Sequence, residues 1–230
     1  MKKWTELERT TTPDGSTLSL ATHDRDYVIR VNGRELMSTR HSHSEEQLGV
    51  VGCRPFAAHV APCVLIGGLG LGFTLRAALA CLPRGARVVV AELLPEIVAW
   101  NRDPRYPLAS AELADPRTEL VVADVARVIE QSRARFDAIL LDADNETTAM
   151  NTAGNARLYR AEGLAAVQRA LVEHGQAVYW SAGEDPAFAK RFASSGFDVE
   201  VQRVRRHPSS KASHYLIIGR RGAKLSDRDR

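Results

Sequence analysis

Along the first fifty residues, apolar and polar positions alternate in short runs: "STLSLATHD", "RDYVIRVNG" and "RELMST". A period of two marks strands with one buried face. Asp14-Gly15 and Asn32-Gly33 stand where turns are needed, and Asn-Gly between two such runs is a hairpin signal. The pattern predicts a small antiparallel β unit over residues 1–55. Beyond it the rhythm changes. "PCVLIGG", "ARVVVAEL", "TELVVAD", "FDAILLDAD" and "QAVYWSA" read as buried strands. Interleaved with them, "FTLRAALACL", "LPEIVAWNRD", "VARVIEQSRAR", "AEGLAAVQRALVEHG" and "DPAFAKRFASSG" carry helical spacing. Pro95 lies near one start, and Gly175 where a C-terminal glycine belongs.

Alternating strands and helices build a mostly parallel sheet covered on both faces. The expected fold class is α/β: a Rossmann-like, doubly wound sheet of about seven strands in residues 56–220, preceded by the antiparallel β unit. "FDVEVQRV" and "HYLIIGR" close the sheet with no helix between them, so one of the two must run antiparallel. Residues 221–230, charged and without pattern, are expected to form a flexible tail.

"VLIGGLGLGFTLR" puts Gly67, Gly68, Gly70 and Gly72 at the turn from the first core strand into its helix. In open α/β sheets, ligands bind beyond the carboxyl ends of the strands, and glycine lets a ligand approach the helix N-terminus closely. A tight turn with nothing bound is the plain alternative. No Gly-Lys-Ser/Thr follows for a P-loop, and Phe73 stands where a dinucleotide fingerprint needs glycine or alanine. Two carboxylates add to the picture. Glu92 ends the second core strand, where an acid can accept from both hydroxyls of a ribose. Asp124 ends the third, where an acid can accept from an adenine amino group. Three strand ends around one crevice describe an adenosine site.

Composition narrows the remaining classes. The 230 residues suit one main domain with a small appendage, and 44% hydrophobic with 26% charged residues is ordinary for a globular protein. A formal net charge of +3, with its densest cluster at Arg203, Arg205, Arg206, His207 and Lys211, gives no nucleic-acid face. Cys53, Cys63 and Cys81 are odd in number and lack CxxC spacing, against a disulfide framework or zinc site. "MKKWTELERT" has no apolar stretch behind its lysines, and no run approaches the ~18 residues of a membrane span. A cytoplasmic protein without membrane or nucleic-acid partners is expected, and His41-x-His43 without a third ligand suggests no metal.

The order "VLIGGLGLG", "VVVAELLPEIV", "DPRTELVVADV" and "FDAILLDAD" resembles the polyamine aminopropyltransferases, the spermidine-synthase-like branch of the class I AdoMet-dependent transferase fold. The likeness extends over residues 15–220 and includes the N-terminal β unit. It implies a homodimer that moves an aminopropyl group from decarboxylated S-adenosylmethionine to a small-molecule amine. It further implies Glu92 on the ribose, Asp124 on the adenine, and Asp142 as the base that deprotonates the attacking amine.

The chain also departs from that pattern. Gly70 replaces the acidic residue of the family's glycine loop, and Met37 replaces a glutamine that touches the nucleoside. "DADN" shifts Asp144 by one position and leaves Asn145 in the acid's place. "SEEQ" at Ser44–Gln47 replaces the family's Tyr-His-Glu or Tyr-Gln-Glu. A polyamine needs several carboxylates, so spermidine synthesis as such is not expected. The methyltransferase pattern is not met either, because Ile66 stands where its acid belongs. Asp144, Asn145, Glu46 and His43 are the candidate acceptor-binding residues, and Asn145 to Tyr159 a candidate lid. Two readings follow: an alkyl transferase using S-adenosylmethionine or its decarboxylated form, or a non-catalytic adenosyl-nucleoside-binding or regulatory protein.

Overall fold

The computed structural model describes residues 4–12, 15–142, 156–207, 210 and 212–222. Its N-terminal strands β1 (Thr5–Thr11), β2 (Thr17–His23), β3 (Asp26–Val31) and β4 (Arg34–Ser38) form an antiparallel sheet in that order. Asn32 and Gly33 both adopt positive φ, the backbone a two-residue hairpin turn requires. The strand β1 was not expected. "TELERTT" has no apolar alternation, and pairing with β2 from Thr5 opposite Thr22 to Thr11 opposite Thr17 holds it in place.

A helix, α1 (His43–Cys53), follows where the sequence suggested none. Gly49 and Gly52 lower its intrinsic helix propensity, and packing explains both. A Cβ on Gly49 would stand 2.7 Å from the Ala77 Cβ, and one on Gly52 would overlap the Leu140 side chain. The glycines let α1 lie directly on the core.

The second sheet has seven strands: β5 (Cys63–Gly67), β6 (Arg87–Glu92), β7 (Thr118–Val122), β8 (Phe136–Leu141), β9 (Leu171–Ser181), β10 (Phe197–Arg205) and β11 (Ser213–Arg221). They lie in the order β10-β11-β9-β8-β5-β6-β7. The strands β5 to β9 pair in parallel, and β11 runs antiparallel to both β9 and β10, as the missing helix requires. Chain order reverses at β5, which is the switch point of the sheet.

Two buried layers flank the sheet. Ile66, Val90, Leu140 and Val178 face α1, α2 (Phe73–Cys81), α3 (Pro95–Arg102) and the N-terminal sheet. Leu65, Val89, Ile139 and Tyr179 face the other way, towards α5 (Val125–Glu130), α6 (Ala161–Ala170) and α7 (Pro186–Ser194). A short α4 (Ser110–Leu113) precedes β7. The helix expected to reach Gly175 stops at Ala170, because Leu171 turns extended and pairs with Phe136. Gly175 instead lies inside β9, where a Cβ would meet the Asp137 carbonyl at 3.0 Å. "DPR" makes a clasp: Arg117 pairs with Asp115 at 2.7 Å and donates to the Leu79 and Leu82 carbonyls at the end of α2. Among the described residues, no helix is long and apolar enough to cross a membrane.

Candidate functional site

The crevice at the carboxyl ends of β5, β6 and β8 is built around the glycine loop. Gly68, Gly70 and Gly72 take φ of 97°, 52° and 81°, angles that L side chains rarely adopt. Gly68 is half-buried and Leu69 to Gly72 are buried, and α2 starts from Gly72 with no side-chain cap on its first N–H groups.

Glu92 holds this loop from below. Its side chain is 5% exposed. One oxygen accepts from the Leu69 N–H at 2.8 Å and the other from the Leu94 N–H at 2.9 Å. Burial pushes its pKa up, while the N–H groups of Leu94 and Leu69 pull it back down. The expected ribose acceptor is thus also a brace between two loops. Asn101 supplies a second brace, which the sequence reading missed. Its Nδ2 donates to the Gly70 carbonyl at 2.8 Å and the Ile97 carbonyl at 2.9 Å, while Oδ1 is buried without a partner. A polar residue one turn past Ile97 on the buried face of α3 was the available signal.

Asp124 lies at the end of β7, as expected, with both oxygens engaged. Oδ1 caps α5 by accepting from the Ala126 N–H at 2.8 Å, and Oδ2 accepts from Arg157 at 2.9 Å. Exposed Leu93 and Val122, 42% and 54% accessible, lie near the lip between Glu92 and Asp124. Val122 pairs with Glu92 in the ladder.

Asp142 is half-buried, one step past β8. The register pairs Leu141 with Gly67 on one side and Tyr179 on the other, so Asp142 stands between Gly68 and Trp180 along the edge. Asp144 and Asn145 lie outside the described residues, as does most of the expected lid. Glu46 is on α1, where it accepts from the Ser42 hydroxyl at 2.8 Å, and His43 is the first residue of that helix. His41 approaches Glu35 at 3.7 Å. Arg76 points away from the loop: it pairs with Glu112 and donates to the Leu108 carbonyl.

The two departures at positions 37 and 70 meet in space. A Cβ on Gly70 would stand 2.5 Å from the Met37 Cε and 2.6 Å from its Sδ. The thioether, brought in by β4, occupies the place a larger side chain at position 70 would need. A third group lies on the α1 side. Ser44, fully buried, donates to Glu45 at 2.8 Å and lies 2.9 Å from His214 Nδ1. His214 meets the Trp180 ring edge-on at 4.6 Å.

No family model matches the chain. A polyamine aminopropyltransferase 1 of Streptomyces coelicolor is 32% identical over 153 residues, 60% of this chain and 28% of that protein. A polyamine aminopropyltransferase of a Thermoanaerobacter species is 35% identical over 89 residues, 38% of this chain and 31% of its own length. The chain thus spans less than a third of the curated relatives it matches. Among solved structures, a spermidine synthase in complex with the transition-state analogue AdoDATO aligns with a TM-score of 0.74 at 20% identity. The alignment covers 95% of this chain and 74% of that one. The spermidine synthase of Thermotoga maritima aligns with a TM-score of 0.72 at 19% identity, over 95% and 73% of the two chains. The order of strand-end motifs and the sequence likeness make the chain similar to the polyamine aminopropyltransferases, and its fold is that of the spermidine synthases.

Proposed function

We propose that this protein binds an adenosyl sulfonium at the glycine loop and transfers an alkyl group, aminopropyl or methyl, to a small amine or polar acceptor. The observation that carries the reading is Glu92, a buried carboxylate at a strand end beneath the glycine loop. A carboxylate offers about four lone-pair positions. Two serve the Leu69 and Leu94 N–H groups, and ribose hydroxyls would share the remaining positions with the nearby Gly70 and Leu93 N–H groups. An adenine beside them would cover Leu93 and Val122, and its amino group would compete with Arg157 for Asp124.

Asp142, at the edge beside Gly68, is the proposed base. It takes the proton of an acceptor ammonium, and the freed nitrogen lone pair attacks the carbon next to sulfur. That C–S bond breaks, its electron pair stays on sulfur, and the neutral adenosyl thioether leaves. Decarboxylated AdoMet ends in an ammonium alone, yet position 70 offers no carboxylate and Met37 covers it. AdoMet also carries a carboxylate, which the uncapped N–H groups after Gly72 suit. With Arg76 held by Glu112, those groups rather than Arg76 would receive it. We therefore infer that AdoMet binds at least as tightly as the decarboxylated form, and that genuine spermidine synthesis is not the activity. The reading includes the family's homodimer, which light scattering checks.

The test is transfer from each sulfonium to diaminobutane and to smaller amines. Asp142→Asn is expected to lower turnover by ~10²–10⁴-fold while nucleoside affinity holds. Full activity in that variant removes Asp142 from the mechanism. Binding without transfer from either donor would favour a non-catalytic nucleoside-binding protein instead.

A further inference from the structure

The chain Glu45–Ser44–His214 has only one consistent placement of hydrogens while the carboxyl is ionised. An ionised carboxylate only accepts, so the single hydroxyl proton of Ser44 goes to Glu45 Oε2, 2.8 Å away. The Ser44 oxygen can then only accept from its other neighbour, His214 Nδ1 at 2.9 Å. His214 must carry its proton on Nδ1. In the neutral ring, Nε2 is then a bare lone pair.

The position of this chain gives it a use. The Glu45 carbonyl accepts from the Thr74 hydroxyl at 3.2 Å, in the first turn of α2 behind the glycine loop. His214 packs on Trp180, which neighbours Asp142 along the carboxyl edge. The groups around the imidazole come from every side. Ser44 and Glu45 lie on α1, Trp180 on β9, Arg206 just past β10, and His41 just before α1. Burial, then the charges of Arg206 and His41, lower the His214 pKa and so favour the neutral ring. Burial raises the Glu45 pKa, with Glu46 adding to it and the Ser44 hydrogen bond and Arg206 opposing it.

We propose that Glu45 and Ser44 are positioning residues that lock His214 in its Nδ1–H form, presenting a bare Nε2 to a hydrogen-bond donor on the acceptor molecule, an ammonium first. A relay that fixes a tautomer through a hydroxyl makes the ring a hydrogen-bond acceptor without adding a charge. This second role rests on the transferase reading; the tautomer does not.

The experiment is nitrogen-15 spectroscopy of histidine-labelled protein without ligand, near neutral pH. His214 is expected to show an unprotonated Nε2 and a protonated Nδ1. Ser44→Ala should return it to the ordinary Nε2–H form. Glu45→Gln, whose amide oxygen still accepts from Ser44, should keep the locked form. Should Ser44→Ala fail to fold, Glu45→Leu removes the carboxylate that takes the Ser44 proton, frees the hydroxyl to donate to Nδ1, and should release the tautomer. A protonated Nε2 in the unaltered protein, or no change in Ser44→Ala, overturns the proposal. In the active protein, His214→Asn should raise the acceptor KM at least tenfold with unchanged nucleoside Kd. An unchanged acceptor KM overturns the acceptor role. Absence of any transfer by the unaltered protein sinks the transferase reading and leaves the tautomer result standing.

Discussion

Glu92 illustrates how one side chain answers two demands. Its oxygens accept separately from Leu69 and Leu94, so the two loops lining the crevice are held by different atoms of one group. Glutamine has a single acceptor oxygen. In Glu92→Gln, one buried N–H therefore faces an amide NH₂, and an unpaired buried donor costs about 1–3 kcal/mol. Denaturant unfolding without ligand should register that loss; unchanged stability would mean that the brace carries no load. The place of Glu92 at a strand end could be read from "VVVAEL", because alternation and strand length locate it. Its bonding could not, since the Leu69 and Leu94 N–H groups are oriented only once the loops fold. Asn101, and the contact of Met37 with position 70, were missed for a similar reason: each acts on Gly70 from a distant element.

At the scale of elements, "DPR" turns out to be structural. Arg117 binds Asp115 and the last carbonyls of α2, joining the helix to the start of β7. The side-chain hydrogen bond from Arg117 holds the Asp115 carboxyl down at about 2. A depressed carboxyl adds stability that is fully present above the ordinary carboxylate range and is lost as pH falls towards 2. Asp115→Asn should thus cost ~1–2 kcal/mol near neutral pH and flatten the acid limb between about pH 4 and 2, after discounting for partial exposure. An acid limb identical to that of the unaltered protein would contradict the clasp. Gly52→Ala should destabilise by about 1–3 kcal/mol through overpacking on Leu140, and a smaller residue at 140 should recover part of it. The elements missed in the sequence share a cause. The strand β1 is polar, α1 is glycine-containing, and "LVEHG" favours helix by spacing; in each case tertiary pairing overrides local preference.

In the whole molecule, the N-terminal sheet and the main sheet share one apolar layer, from Leu18 and Ile29 to Ile66 and Val90. Glu8 extends the join by accepting from Tyr106 at 2.7 Å and Arg105 at 2.9 Å. Through Met37, that small sheet reaches the glycine loop, so it forms part of the crevice as well as an appendage. The period of the hydrophobic pattern was enough to read the doubly wound sheet, its seven strands and its switch point. The roof of the crevice was not legible, because it depends on how the two sheets meet.

The central claim is that this crevice is an adenosyl site organised by Glu92. Calorimetric titration of methylthioadenosine into the unaltered protein and Glu92→Ala tests it most directly, since that ligand carries the nucleoside without either charged tail. Saturable binding is expected, weakened by ~1.5–3 kcal/mol in the variant through loss of a charged hydrogen-bond acceptor. Equal affinity in a folded Glu92→Ala protein, or no binding to the unaltered one, would contradict the account.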